Sequence, residues 1–153
     1  RREIGLEETA ADLPDRPISP HPNLVTPTGM AALDAALGEA RAAYAQAQTG
    51  DVQADRMAMA RATRDLRYYS ARRASAQLVE AVAHPRSVQF GTTVTIDRED
   101  GRRQVFRIVG EDEADPAKGS VSYVSPLAKA LMSKVVGDVA IVAGREVEVL
   151  EIA

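Results

Sequence analysis

Asp51 and Asp55 stand four residues apart in the stretch GDVQAD and are followed by six arginines: Arg56, Arg61, Arg64, Arg67, Arg72 and Arg73. Carboxylates at that spacing share one face of a helix and could serve as an acid pair. The same residues also suit a helix start, where a side-chain oxygen caps free N–H groups and negative charge meets the positive helix end. The arginine run reads either as a solvated helix face or as a surface for phosphates and acidic walls. Other reactive chemistry is sparse. There is no cysteine, hence no disulfide, thiolate metal site or thiol nucleophile, as befits a reducing compartment. His21 and His84 each adjoin a proline in connector sequence and read as surface residues rather than ligands or general bases.

The background that must position these residues is that of a globular chain of 153 residues, 45% hydrophobic and 27% charged. Aromatics make up only 4% and tryptophan is absent, so the core is expected to be aliphatic and alanine-rich. A net charge of −3 argues against a general nucleic-acid coating protein. No apolar run approaches the roughly 18 residues of a membrane span, and nothing resembles a cleavable signal. A cytoplasmic protein with no membrane partner is expected. The chain begins with Arg1 rather than Met, so further residues are expected upstream.

Composition changes near His84-Pro85, from alanine-rich to β-branched. Residues 1–25 hold Pro14, Pro17, Pro20 and Pro22 and read as an extended arm that cannot be helical. Residues 26–84 read as a helical hairpin. Thr26 caps and Pro27 opens the first helix, whose stripe is Met30, Leu33, Leu37, Ala40, Tyr44 and Ala47. After the Thr49-Gly50-Asp51 turn, a second helix from Asp55 to Val82 carries Met59, Ala62, Leu66 and Tyr69 at the same spacing. Residues 85–153 alternate with period two. Asp100-Gly101 marks one hairpin and Gly144-Arg145 another, and Ser125-Pro126 opens a short helix that ends before Gly137. The expected fold class is therefore α+β, an antiparallel helical hairpin followed by a small antiparallel sheet covered by one helix. Leu127, Ala130 and Leu131 sit at core spacing on that helix. Lys129 and Lys134 lie on an uncommitted face, where a cation is free to meet an acidic partner.

The stretch FRIVGEDEADPAKGSVSYVSPLAKALMSKVVGD, Phe106 to Asp138, resembles the C-terminal domain of the bacterial GreA/GreB transcript-cleavage factors, as do QFGTTVTI and the closing EVLEI. Val25-Thr26-Pro27-Thr28-Gly29 is similar to that family's helix start and Thr49-Gly50-Asp51 to its hairpin tip. The resemblance implies an FKBP-like C-terminal domain that docks on RNA polymerase at the rim of its secondary channel, with the coiled-coil hairpin entering the channel. Docking would then involve Asp112, Glu113, Ser125, Pro126, Leu127, Lys129 and Lys134. Arg56, Arg61 and Arg64 would meet channel walls or nascent RNA.

The resemblance also implies a tip pattern Gly-Asp-x-x-Glu-Asn that supports a second Mg²⁺ at the polymerase's own site. Here Asp51 falls on the metal-binding aspartate, but Ala54 replaces the glutamate and Asp55 the asparagine. A helix of 22 residues, Pro27 to Gln48, is also shorter than its counterpart in those factors. The expectation is a monomeric, non-enzymatic elongation factor with no cofactor of its own and at most a Mg²⁺ shared with polymerase through Asp51. The alternative is a regulator that occupies polymerase without stimulating cleavage, or competes with Gre factors, as Rnk-like relatives do. A prolyl isomerase is disfavoured, since Phe90, Phe106 and Tyr123 are too few to line such a pocket.

Overall fold

The computed structural model describes residues 13–50 and 52–153, with only the backbone at 52–55. The described chain divides into two units. One comprises residues 13–20 and Ala31–Ala76, the other His21–Met30 and Gln77–Ala153.

The first unit is built on α1, Pro27–Gln48, and α2, Val52–Ser75. Leu33, Leu37 and Ala40 are buried along α1, with Tyr44 and Ala47 half-buried, so the expected stripe is realised. On α2, Ala60 and Ala62 are buried while Met59, Leu66 and Tyr69 are half-buried. Arg73 Nε donates to Asp34 Oδ1 at 2.6 Å, pairing the end of α2 with the start of α1 as an antiparallel hairpin requires. Small side chains keep that seam shallow. Ala36, Ala40, Ala43 and Ala62 leave a groove of about 320 Å³ with Glu39, Asp65 and Tyr69 at its rim. Residues 13–20 follow α2. Arg67 pairs with Asp15 at 3.2 Å, and Arg16 pairs with Asp65 at 3.5 Å while its guanidinium lies 3.8 Å from the Tyr68 ring centre. A hydrogen bond to Tyr69 is the main cause that raises the Arg16 guanidinium above its ordinary value.

The second helix was expected to reach Val82, but α2 stops at Ser75. The cause is a pair of two-residue strands, β1 (Leu24–Val25) and β2 (Gln77–Leu78), which run parallel. Gln77 N–H donates to the Asn23 carbonyl at 2.8 Å and Val79 N–H to the Val25 carbonyl at 2.9 Å. These bonds take the backbone out of helical register and return residues 77–84 to the second unit.

That unit contains β3 (Thr93–Arg98), β4 (Arg103–Val109), a 3₁₀ turn at Pro116–Lys118, β5 (Ser120–Ser122), α3 (Pro126–Leu131), β6 (Val139–Val142) and β7 (Arg145–Ile152). The sheet order is β5-β4-β3-β7-β6. The expected all-antiparallel sheet is corrected to a mixed one, because β5 runs parallel to β4 in the register Arg107↔Ser120, Ile108↔Val121 and Val109↔Ser122. The connection from Gly110 to Gly119 is long enough to carry the chain back to the start of β4 before it pairs. Val94, Ile96, Ile108, Val121, Val147 and Val149 face inward, closed over by Ala128 and Leu131 of α3. Aliphatic residues dominate this core, as composition requires.

Both antiparallel turns form. Arg102 N–H donates to Asp100 Oδ1 at 3.0 Å and its guanidinium reaches Oδ2 at 2.7 Å, the first of which chiefly holds the Asp100 carboxyl below the ordinary aspartate value. The second turn is displaced by one residue from its expected place. Val142 pairs with Arg145, and Ala143 and Gly144 occupy the turn with φ of 52° and 77°. Two consecutive left-handed residues give the tight turn whose twist suits a hairpin.

Candidate functional site

β4 and β5 are parallel neighbours, so the segments that follow Val109 and Ser122 leave the sheet at the same end. Gly110 opens the first. A Cβ there would lie 2.2 Å from the Leu24 carbonyl oxygen, so only glycine lets β1 pass. The second segment is fixed by Ser125, whose side chain accepts from Ala128 N–H at 3.2 Å and caps α3, with Pro126 at its first position. Tyr123 hydrogen-bonds through its hydroxyl to the Pro22 carbonyl and meets Phe90 edge-on at 5.6 Å.

On these two segments the expected docking residues separate by environment. Ala128 and Leu131 are the fully buried positions of α3, while Leu127 and Ala130 pack against the core half-buried. Lys129 is exposed on α3, whereas Lys134, expected on the same helix, lies beyond its end at Leu131 and is half-exposed, its carbonyl accepting from Val88 N–H at 2.8 Å; neither side chain pairs with a carboxylate among the described residues. Pro126 and Asp112 are exposed. Glu113 is turned inward. Its Oε1 accepts from the Thr26 hydroxyl at 2.6 Å, its Oε2 lies 3.9 Å from Arg107 Nη1, and a Cβ on Gly29 would come within 2.7 Å of Oε1. The Thr26 oxygen also accepts from Gly29 N–H at 3.0 Å, capping α1. Sequence reasoning identified the Thr26 cap, but no local signal could pair it with a carboxylate 87 residues away.

The tip is different. Asp51 lies outside the described residues, as does the side chain of Asp55. No group of three or more histidine or acidic side chains able to hold a metal occurs among the described residues. Of the channel arginines, Arg56 and Arg61 are exposed. Arg64 is half-buried and its Nε contacts Asp65 at 3.2 Å. Arg61 makes no ion pair among the described residues. No helix among them is long and apolar enough to cross a membrane.

Residues 83–153 match the family described as "Transcription elongation factor, GreA/GreB, C-term". The transcription elongation factor GreB of Neisseria meningitidis is 34% identical over 113 residues, which cover 70% of this chain and 69% of that protein. The chain belongs to the GreA/GreB family. GreA of Pseudomonas syringae is 51% identical over 65 residues, 42% of this chain and 41% of that protein. The chain thus matches only about two-fifths of that GreA's length. Among solved structures, the Thermus thermophilus GreA factor homolog 1 aligns at 21% identity and a TM-score of 0.41, over 87% of this chain and 99% of that one.

Proposed function

We propose that this family member is an RNA polymerase-binding elongation factor that docks through its sheet unit and acts through the secondary channel without stimulating transcript cleavage. The observation that carries the docking half is Lys129, an exposed cation without a carboxylate partner among the described residues, on a helix held rigid by the Ser125 cap and the buried Ala128 and Leu131. A cation on a backbone held in this way suits an acidic partner surface, since only the lysine side chain and not the helix has to be ordered on binding. In this reading the protein is no enzyme, and any cleavage belongs to the polymerase.

Support for the non-cleaving half comes from the other unit. α1 has 22 residues, about 33 Å at 1.5 Å per residue, and each turn missing relative to a longer hairpin withdraws the tip by about 5 Å. Ala54 also removes one carboxylate of the family's tip pattern. Metal support tolerates only small errors of position, so either departure weakens it and both together defeat it.

The test is a calorimetric titration of the full chain into core RNA polymerase, followed by incubation with a backtracked complex. Binding is expected, Lys129→Glu should weaken it at least tenfold, and the RNA should stay uncut even with Ala54→Glu. No binding would overturn the docking reading. RNA shortening that Asp51→Ala abolishes would overturn the non-cleaving one.

A further inference from the structure

β6 is an edge strand of the five-stranded sheet. Its ladder to β7 runs Val139↔Glu148, Ala140↔Val147, Ile141↔Glu146 and Val142↔Arg145. Closure by a two-residue turn makes Val142–Arg145 a hydrogen-bonded pair, and alternation then makes Ile141 and Val139 members of non-bonded pairs. The N–H and C=O groups of Val139 and Ile141 therefore point away from β7 along the open edge. The two residues are 51% and 60% exposed. The strand is short, four residues, but its sequence, VAIV, contains neither a charge nor a proline, two of the usual guards of an open edge.

Behind this edge, on the same outward face, stand Glu146 and Glu148, and beyond them Asp97, directly opposite Glu148 in the β3–β7 register. With Glu99, Val139 and Arg98 they border a hollow of about 150 Å³, in which four acids face one cation whose Nε is engaged by Gln104 Oε1 at 2.6 Å. Like charges directly opposite across strands are unfavourable. The carboxylates of Asp97, Glu146 and Glu148 have no hydrogen-bond or ion-pair partner among the described residues.

We propose that the open edge of β6 is a docking site for an extended segment of a protein partner with Lys or Arg at alternate positions. Such a segment would add a strand beside β6, satisfying the outward groups of Val139 and Ile141. Its basic side chains would then fall on the outward face, where their aliphatic stems cover Val139 and Ile141. Glu146 and Glu148 stand two strand spacings away, about 10 Å, within the combined reach of the two long side chains. A second copy of the chain is the poorer occupant, because β6 against β6 would bring another set of the same carboxylates to this face. The proposal stands apart from polymerase docking, which uses Lys129.

The experiment titrates the isotope-labelled full chain with a capped nonapeptide that alternates lysine with valine and threonine, and follows amide shifts by NMR. Saturable shifts are expected at residues 139–142, 146 and 148, with slowed amide exchange at Val139 and Ile141. Glu146→Gln with Glu148→Gln should weaken binding at least tenfold. Ile141→Pro should abolish it while leaving the β6–β7 ladder intact, since the N–H it removes points outward. Shifts centred elsewhere, binding unaltered by Ile141→Pro, or no binding would overturn the proposal. So would a sedimentation result in which the chain alone forms a dimer that Ile141→Pro dissolves.

Discussion

Two glycines show how differently one missing methyl group can matter. At Gly110 an added Cβ would meet the Leu24 carbonyl oxygen, a backbone atom that moves only if β1 moves. At Gly29 it would meet Glu113 Oε1, the free end of a side chain that can swing aside by giving up its bond to Thr26. Gly29 also lies in the first turn of α1, where alanine recovers up to about 1 kcal/mol of helix propensity. Gly110→Ala should therefore lower the unfolding free energy by about 1–3 kcal/mol, the usual cost of overpacking. Gly29→Ala should cost clearly less. Urea denaturation of the two variants measures the difference, and equal losses would mean that β1 is free to move away from Gly110.

Among the elements, α3 depends most on its ends. It has six residues and so gains little from propagation, leaving the Ser125 cap and the burial of Ala128 and Leu131 to hold it. Ser125→Ala should cost about 1 kcal/mol and speed amide exchange of the residues that follow it. A cap change without effect on exchange would show that core burial alone suffices. This helix start was legible in the sequence because Ser-Pro is a local signal, and the stripes of α1 and α2 were legible because burial repeats with the helical period. What escaped depended on distant partners. The end of α2 is set by Asn23 and Val25, the parallel placement of β5 by a ten-residue detour, and the turn position by an Ala143 that adopts φ 52° without being glycine or asparagine. The candidate site was legible in part, since Lys129 shows its freedom through helical spacing alone, whereas the inward turn of Glu113 needs Thr26 beside it.

At the scale of the whole molecule, two units with separate cores should respond separately to damage. Arg16 tests this. Its contacts with Asp65, Tyr68 and Tyr69 all lie in the helical unit. A cation over an aromatic ring contributes about 0.5–1 kcal/mol at an exposed site, and the half-exposed ion pair adds little. Arg16→Ala should therefore raise amide exchange in α2 by several-fold while leaving β3 and β7 unchanged. Equal acceleration in both would show that the chain opens as a single cooperative body.

The paired strands β1 and β2 give this organisation a mechanical consequence. Because Asn23 and Val25 bond directly to Gln77 and Val79, the sheet unit closes the chain upon itself on either side of the helices. The helical pair is in effect a cassette held in a clasp. Mutations that lengthen, shorten or recode it need not disturb the clasp.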